Sequence, residues 1–103
     1  VKVGRYMVLP DGARCVIARN EEENIKLDKP NPQMELIVLQ ECKGPIGLVQ
    51  RSGTLEDKLL AGQITLGYGK GELGKEYEVK IGEETYKLTP LPREEAQKYL
   101  FLS

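Results

Sequence analysis

A chain of 103 residues, 40% hydrophobic and 30% charged, can build one domain with a real core and has no room for two of ordinary size. Its 15 basic and 16 acidic residues leave a formal charge of −1, so nothing draws the whole molecule to nucleic acid or to an anionic membrane. Any such binding needs a local basic face.

The chain begins at Val1, in residues already patterned as strand, which leads us to expect a single domain over 1–103 cut from a longer protein. No apolar run approaches a membrane span and no charged-then-apolar leader opens the sequence, so a cytoplasmic location is expected.

Arg5 to Leu9 and Ala13 to Ala18 are two short apolar runs on either side of Pro10-Asp11-Gly12, a turn in which Pro presets one φ and Gly accepts a positive one. They predict a hairpin. Ala18-Arg19-Asn20-Glu21-Glu22-Glu23-Asn24 then turns the chain from strand to helix, with Asn20 offering its side-chain oxygen to the free N–H groups of the next turn. Three consecutive glutamates suit the positive end of the helix dipole and read as a solvated face, because neighbours in sequence fan around a helix. The helix is predicted over 21–27 and is stopped by Asp28-Lys29-Pro30-Asn31-Pro32.

Glu35 to Gln40 and Pro45 to Gln50 form a second pair of apolar runs around Glu41-Cys42-Lys43-Gly44. Their near-continuous apolar character predicts central strands covered on both faces. Thr54 caps a second helix predicted to run to about Thr65, with Leu55, Leu59, Leu60 and Ile64 near one face. Gly62 weakens that helix, and Gly67, Gly69, Gly71 and Gly74 end it in a glycine-rich connection through Tyr68 and Lys70. Tyr77 to Ile81 alternates and turns at Gly82-Glu83-Glu84 into Thr85 to Thr89, another hairpin. After Pro90 and Pro92, Arg93 to Leu100 is a short helix with Ala96, Tyr99 and Leu100 toward the core. The order ββαββαββα predicts an α+β domain with a mixed or antiparallel sheet of about six strands and two or three short helices.

Catalytic sets are sparse. Without histidine there is no Ser-His or Cys-His pair and no imidazole base, and two cysteines are too few for a zinc site, so both read as free thiols. Gly67-Tyr68-Gly69-Lys70-Gly71 follows a predicted helix and lacks the lysine-serine/threonine ending of a phosphate loop. No cofactor and no metal are expected in this domain.

What remains is a set of polar residues at loop ends. Arg14, Arg19, Asn20 and Asn24 flank the first corner, Lys43 and Gly44 lie between the central strands, Arg51 follows them, and Tyr68 and Lys70 occupy the glycine-rich link. Lys43, Arg51 and Lys70 suit phosphate contacts, Gly44 and Gly47 permit close approach of a backbone to a ligand, and Tyr68 suits stacking on a base. Scattered surface charge is the other reading of the same residues.

Gly4-Arg5-Tyr6, Asp11-Gly12 and Ala18 to Asn24 with Leu27 three residues on resemble the opening of the NFACT RNA-binding domain family. The resemblance runs to the version found at the C-terminus of PP-loop ATPases similar to tRNA 2-thiouridine synthases. Gly44-Pro45 leading into Ile46 to Val49 resembles that family's Gly-Pro approach to a strand, and Ala61 to Lys70 falls where the family has a small-residue helix ending in an aromatic and a basic residue. A better-known branch carries a Trp and a His in the central strand; Met34 to Leu39 takes that place here, so no role of that His carries over.

The resemblance implies an RNA-binding accessory module at the C-terminal end of a longer protein. Its partners would be RNA, in particular tRNA, and a catalytic PP-loop ATPase domain in the same chain that performs ATP-dependent tRNA thiolation by sulfur transfer. No membrane partner is expected, and the RNA-binding residues expected are the loop-end set read above: Arg14, Arg19, Asn20, Asn24, Lys43, Gly44, Arg51, Tyr68 and Lys70. The rival is a protein-interaction or structural packing module with no RNA contact, and an enzyme domain is the third reading.

Overall fold

In the computed structural model, which describes residues 4–28 and 32–99, the chain forms one six-stranded antiparallel sheet with three helices, an α+β fold. The first hairpin pairs β1 (Arg5–Val8) with β2 (Arg14–Ile17), Tyr6 facing Val16, across the Pro10-Asp11-Gly12 turn in which Gly12 takes φ 95°. Helix α1 (Glu21–Leu27) starts at Asn20, whose side chain accepts the Glu23 N–H at 2.9 Å, and ends at Asp28. Lys29, Pro30 and Asn31, the middle of the expected helix stop, lie outside the described residues, as do the first three residues and Leu100.

Strands β3 (Met34–Leu39) and β4 (Gly47–Gln50) are central, in the order β1-β2-β4-β3-β5-β6. Every neighbouring pair is antiparallel, which settles the choice the sequence left open. Strand β4 is shorter than expected, because Pro45 has no N–H for the ladder and Ile46 spends its own on the Asn24 side chain.

The expectation of double coverage needs correction. Helix α2 (Leu55–Gly67) lies on one face, over Cys15, Ile17, Ile37, Val49, Val79 and Ile81, all at most 2% exposed. Alternation sends Val16, Leu36 and Val38 to the opposite face, where they stay partly exposed. Gly47 also differs from the sequence reading: it is buried, and a Cβ there would lie 2.9 Å from Ile17 Cδ1 and 2.9 Å from Thr65 Oγ1, so the space it leaves is filled by the packing of α2 onto the sheet.

Thr54 caps α2 by accepting the Asp57 N–H at 3.2 Å, and the helix runs two residues past the expected end. Its apolar face is rotated from the predicted one. Leu55 is 54% exposed, whereas Ala61, Ile64, Thr65 and Leu66 are fully buried. Gly62, expected to weaken the helix, is where Leu88, Ile81 and Val79 pass so close that a Cβ would lie 2.6 Å from Leu88 Cδ1. Strands β5 (Tyr77–Ile81) and β6 (Glu84–Leu88) form the last hairpin around Gly82 at φ 63°. Helix α3 (Arg93–Ala96) then tightens into a 3-10 turn over Gln97–Tyr99, with Ala96 buried against the core.

Both cysteines are free, and complete burial pushes the Cys15 thiol up to about 12. Among the described residues no helix is long and apolar enough to cross a membrane, and no group of carboxylates or thiols is arranged to hold a metal ion.

Candidate functional site

Antiparallel topology brings several chain segments to one end of the sheet. Strand β1 starts there, β2 finishes there, the β3–β4 loop crosses it, and α2 ends beside the start of α3. Between them lies an open cleft of about 380 Å³. The β2–α1 corner supplies Arg19, Asn20, Glu21 and Asn24, and the β3–β4 loop supplies Lys43, Gly44 and Pro45. Tyr68, Gly69 and Lys70 follow α2 along the third side, while Arg5 and Arg93 close the cleft from β1 and α3.

The walls are tied together through the backbone. Lys70 N–H donates to the Lys43 carbonyl at 2.7 Å, and a Cβ on Gly44 would sit 2.8 Å from the Gly69 Cα. This glycine-to-glycine approach seats the Lys43 loop against the end of α2. Asn24 joins the corner to the loop by accepting the Ile46 N–H at 2.9 Å, and Asn20 is committed to its cap.

Glu23 is the hidden organiser of the corner. It was expected on a solvated face, yet it is 7% exposed, and its carboxylate accepts four hydrogen bonds. Arg19 gives three, from its backbone N–H at 2.8 Å, Nε at 3.1 Å and Nη2 at 2.9 Å; Gly4 N–H gives the fourth at 3.0 Å. Hydrogen bonding from the Arg19 side chain, then from Gly4, outweighs burial and holds the Glu23 carboxyl at about 2. The same contacts fix β1, β2 and α1 to one another. They also neutralise much of the Arg19 charge.

Arg5 and Arg93 converge on Tyr68. The Arg5 guanidinium carbon lies 4.3 Å from the ring centroid and that of Arg93 5.7 Å, within cation–π range. Arg5 also donates to the Ala18 carbonyl at 3.4 Å, and Arg93 Nε donates at 3.3 Å to the Gly67 carbonyl, one of those left free where α2 ends. Among the described residues neither of these arginines, nor Lys43 or Lys70, is paired with a carboxylate.

Seven of the nine residues singled out from sequence therefore meet: Arg19, Asn20, Asn24, Lys43, Gly44, Tyr68 and Lys70. Arg14 and Arg51 do not. Arg14 begins β2 and donates to the Tyr6 hydroxyl at 3.2 Å, and Arg51 follows β4 and donates to the Met34 carbonyl at 3.4 Å, both at the opposite end of the sheet. Arg5 and Arg93 were missed as site residues. Arg5 stood inside the Gly4-Arg5-Tyr6 signature, whereas nothing local marks Arg93, 25 residues after Tyr68.

Comparison with known proteins agrees with this architecture. No curated protein matches the chain at a significant level. The C-terminal part of the fibronectin/fibrinogen-binding protein from Streptococcus suis superposes with a TM-score of 0.81 at 11% identity, a likeness of fold alone. The alignment covers 98% of this chain and 51% of that one, so the chain spans about half the length of its structural relative. The family model for the NFACT protein RNA binding domain matches residues 4–100, well past the strands on which the sequence resemblance was clearest. With all but three residues at each end inside that match, the chain belongs to the NFACT RNA-binding domain family.

Proposed function

We propose that this domain binds RNA in the cleft between the β2–α1 corner, the β3–β4 loop and the end of α2, and that the RNA is tRNA. In this reading it presents tRNA to a PP-loop ATPase domain of the same full-length cytoplasmic protein, which performs the thiolation. Family membership supports RNA as the partner. The finer reading draws on the resemblance of Gly4-Arg5-Tyr6, Ala18 to Asn24 and Gly44-Pro45 to the version found with such ATPases.

One observation carries the assignment to the cleft. A chain of net charge −1 gathers Arg5, Lys43, Lys70 and Arg93 around one opening, with Glu21 as the acidic residue on its rim. Cations on loop ends, held by backbone contacts, suit phosphates along an RNA backbone. Polyelectrolyte release then gives the test a magnitude. Roughly 0.7–0.9 unit of slope in log K against log salt per phosphate neutralised implies a slope near −3 for the four unpaired cations. Lys43→Ala with Lys70→Ala should flatten the slope by roughly 1.5 and weaken tRNA binding. Titration starts at low salt and is repeated on the full-length protein, where tethering assists a weak module.

The packing reading draws on the sheet face away from α2, where Val16, Leu36 and Val38 remain partly exposed. It predicts no tRNA binding at low salt by domain or full-length protein, and that result would displace the RNA assignment.

A further inference from the structure

The side chains that line the cleft offer mostly hydrogen-bond donors. The side-chain oxygens of Asn20 and Asn24 are each engaged by a backbone N–H, from Glu23 and from Ile46. Because the partners are N–H groups, the oxygen assignment is fixed, and each NH2 keeps both of its donors for a ligand. Lysine and arginine side chains have no acceptor at all. The Ala18, Lys43 and Gly67 carbonyls already accept from Arg5, Lys70 and Arg93. Glu21 and the Tyr68 hydroxyl are the side-chain exceptions.

The Tyr68 ring is also less free than a stacking platform requires. With the Arg5 guanidinium 4.3 Å from its centroid, a base reaching that face must first displace a cation. The ring thus holds Arg5, and with it Arg93, toward the cleft. Phosphate oxygens are uniformly acceptors, whereas every base mixes donors with acceptors, so a donor-lined surface matches a phosphate at every oxygen and a base only in part.

We infer that the cleft is a receptor for phosphate groups that is indifferent to the base, with Asn20 and Asn24 as neutral donors to the phosphate and Tyr68 as a positioning residue for the guanidiniums. This rests on the cleft assignment above and deepens it. The shared ligand chemistry is the phosphate oxyanion, whether in an RNA backbone or in a free polyphosphate.

The experiment follows the side-chain NH2 resonances of Asn20 and Asn24 while the domain is titrated at low salt with inorganic tripolyphosphate and with ten-nucleotide RNAs of A, of C and of a G-containing sequence. Expected are shifts in both amides with every probe, affinities for the RNAs within about twofold of one another, and competition by tripolyphosphate. Asn24→Asp is the decisive variant. It keeps the acceptor for Ile46 N–H, and therefore the fold, but replaces the donor by a negative charge, and it should lower affinity for all probes by at least tenfold. Tyr68→Phe should retain binding, whereas Tyr68→Leu should lose roughly threefold to tenfold, compared at a temperature where both variants are folded.

RNA binding that leaves both amides unmoved and resists tripolyphosphate overturns the inference while the RNA assignment stands. So does a tenfold preference for the G-containing RNA, since the guanine O6/N7 edge is also all acceptor. Unchanged binding in Asn24→Asp overturns it as well. Shifts with tripolyphosphate and none with any RNA uphold the phosphate receptor and remove RNA as its ligand. No response to any probe removes both.

Discussion

Asp57, in the first turn of α2, holds the opposite end of the molecule together, and its loss should be the most costly polar substitution in the domain. It is 2% exposed, and its two carboxylate oxygens accept the Asp11 N–H at 3.2 Å and the Ala13 N–H at 3.0 Å, fastening the first hairpin turn to the helix. In Asp57→Ala the Asp11 N–H can turn to water, because that residue is exposed, and costs about 0.5 kcal/mol. Ala13 is 4% exposed, so its N–H is stranded and costs about 1.5–3 kcal/mol on losing a charged acceptor. The sum, about 2–3.5 kcal/mol, is a large fraction of the roughly 5–15 kcal/mol typical of a domain, and it corresponds to a fall in melting temperature of roughly 10–25 °C. Urea and thermal unfolding followed by circular dichroism measure it. Asp57→Asn, which keeps one acceptor and turns an NH2 toward the other N–H, should fall between the two. Thr54 shares the network, donating to Asp11 Oδ2 at 2.9 Å and capping Asp57, so Thr54→Ala and Asp57→Ala should not be additive. A loss in Asp57→Ala below about 0.5 kcal/mol, no larger than that of the exposed neighbour Glu56→Ala, would refute the account.

Asn20→Ala removes the cap of α1 and should lower stability by about 1 kcal/mol, read from the urea midpoint; an unchanged midpoint means the cap contributes nothing. Gly44→Ala drives a methyl to 2.8 Å from the Gly69 Cα and 2.5 Å from Leu39 Cδ1, so it should cost about 1–3 kcal/mol and shift the Lys70 amide resonance as the hydrogen bond to Lys43 lengthens. The Glu23 carboxyl, ordinarily at 4.5, is held at about 2 in the folded protein, so it contributes stability above pH 4.5 that is lost as pH falls through about 2. Glu23→Gln should flatten the acid limb of the stability profile within that window, and an identical limb in wild type and variant would show that Glu23 does not control it.

The parts of this architecture that were legible in sequence are those decided within a few residues. Asn20 and Thr54 sit where a side-chain oxygen can reach an N–H three residues on, and both cap as expected. Gly12 and Gly82 take the positive φ that their turns demand. Sheet order was beyond reach, because pairing Val16 with Leu48 ahead of Leu36 is a competition among partners distant in the chain. The α2 face was misjudged for a related reason. Counting leucines at helical spacing put Leu55 inside, but small residues at Ala61, Gly62 and Thr65 let the sheet approach, and the helix turns that side inward. At the cleft, residue type was readable and position was not. Arg14 and Arg51 have the same chemistry as Arg19 and Lys43, and only the antiparallel run of β2 against β4 sends the two pairs to opposite ends.

The charge distribution along α2 sharpens what the cleft must be asked. Its first turn carries Glu56 and Asp57, with Asp11 beside them, at the end where the dipole is positive. Its last turn has no basic residue of its own, and the exposed carbonyl of Gly67 is met by Arg93 from α3, with Lys70 just beyond. Arg93 thus has a structural use, compensating a helix C-terminus, that needs no ligand at all. Lys43 has no such use: its side chain is exposed on a loop whose backbone carbonyl, and not its ammonium, makes the tie to Lys70. A cation retained only for the fold would be replaceable at Arg93 by any group that caps Gly67, whereas one retained for a ligand would be replaceable at Lys43 by arginine and by nothing neutral. Lys43→Arg should therefore preserve tRNA affinity and its salt slope, and Lys43→Gln, with the same melting temperature, should reduce both. Equal affinity in the two variants would mean that the charge on this loop has no part in binding.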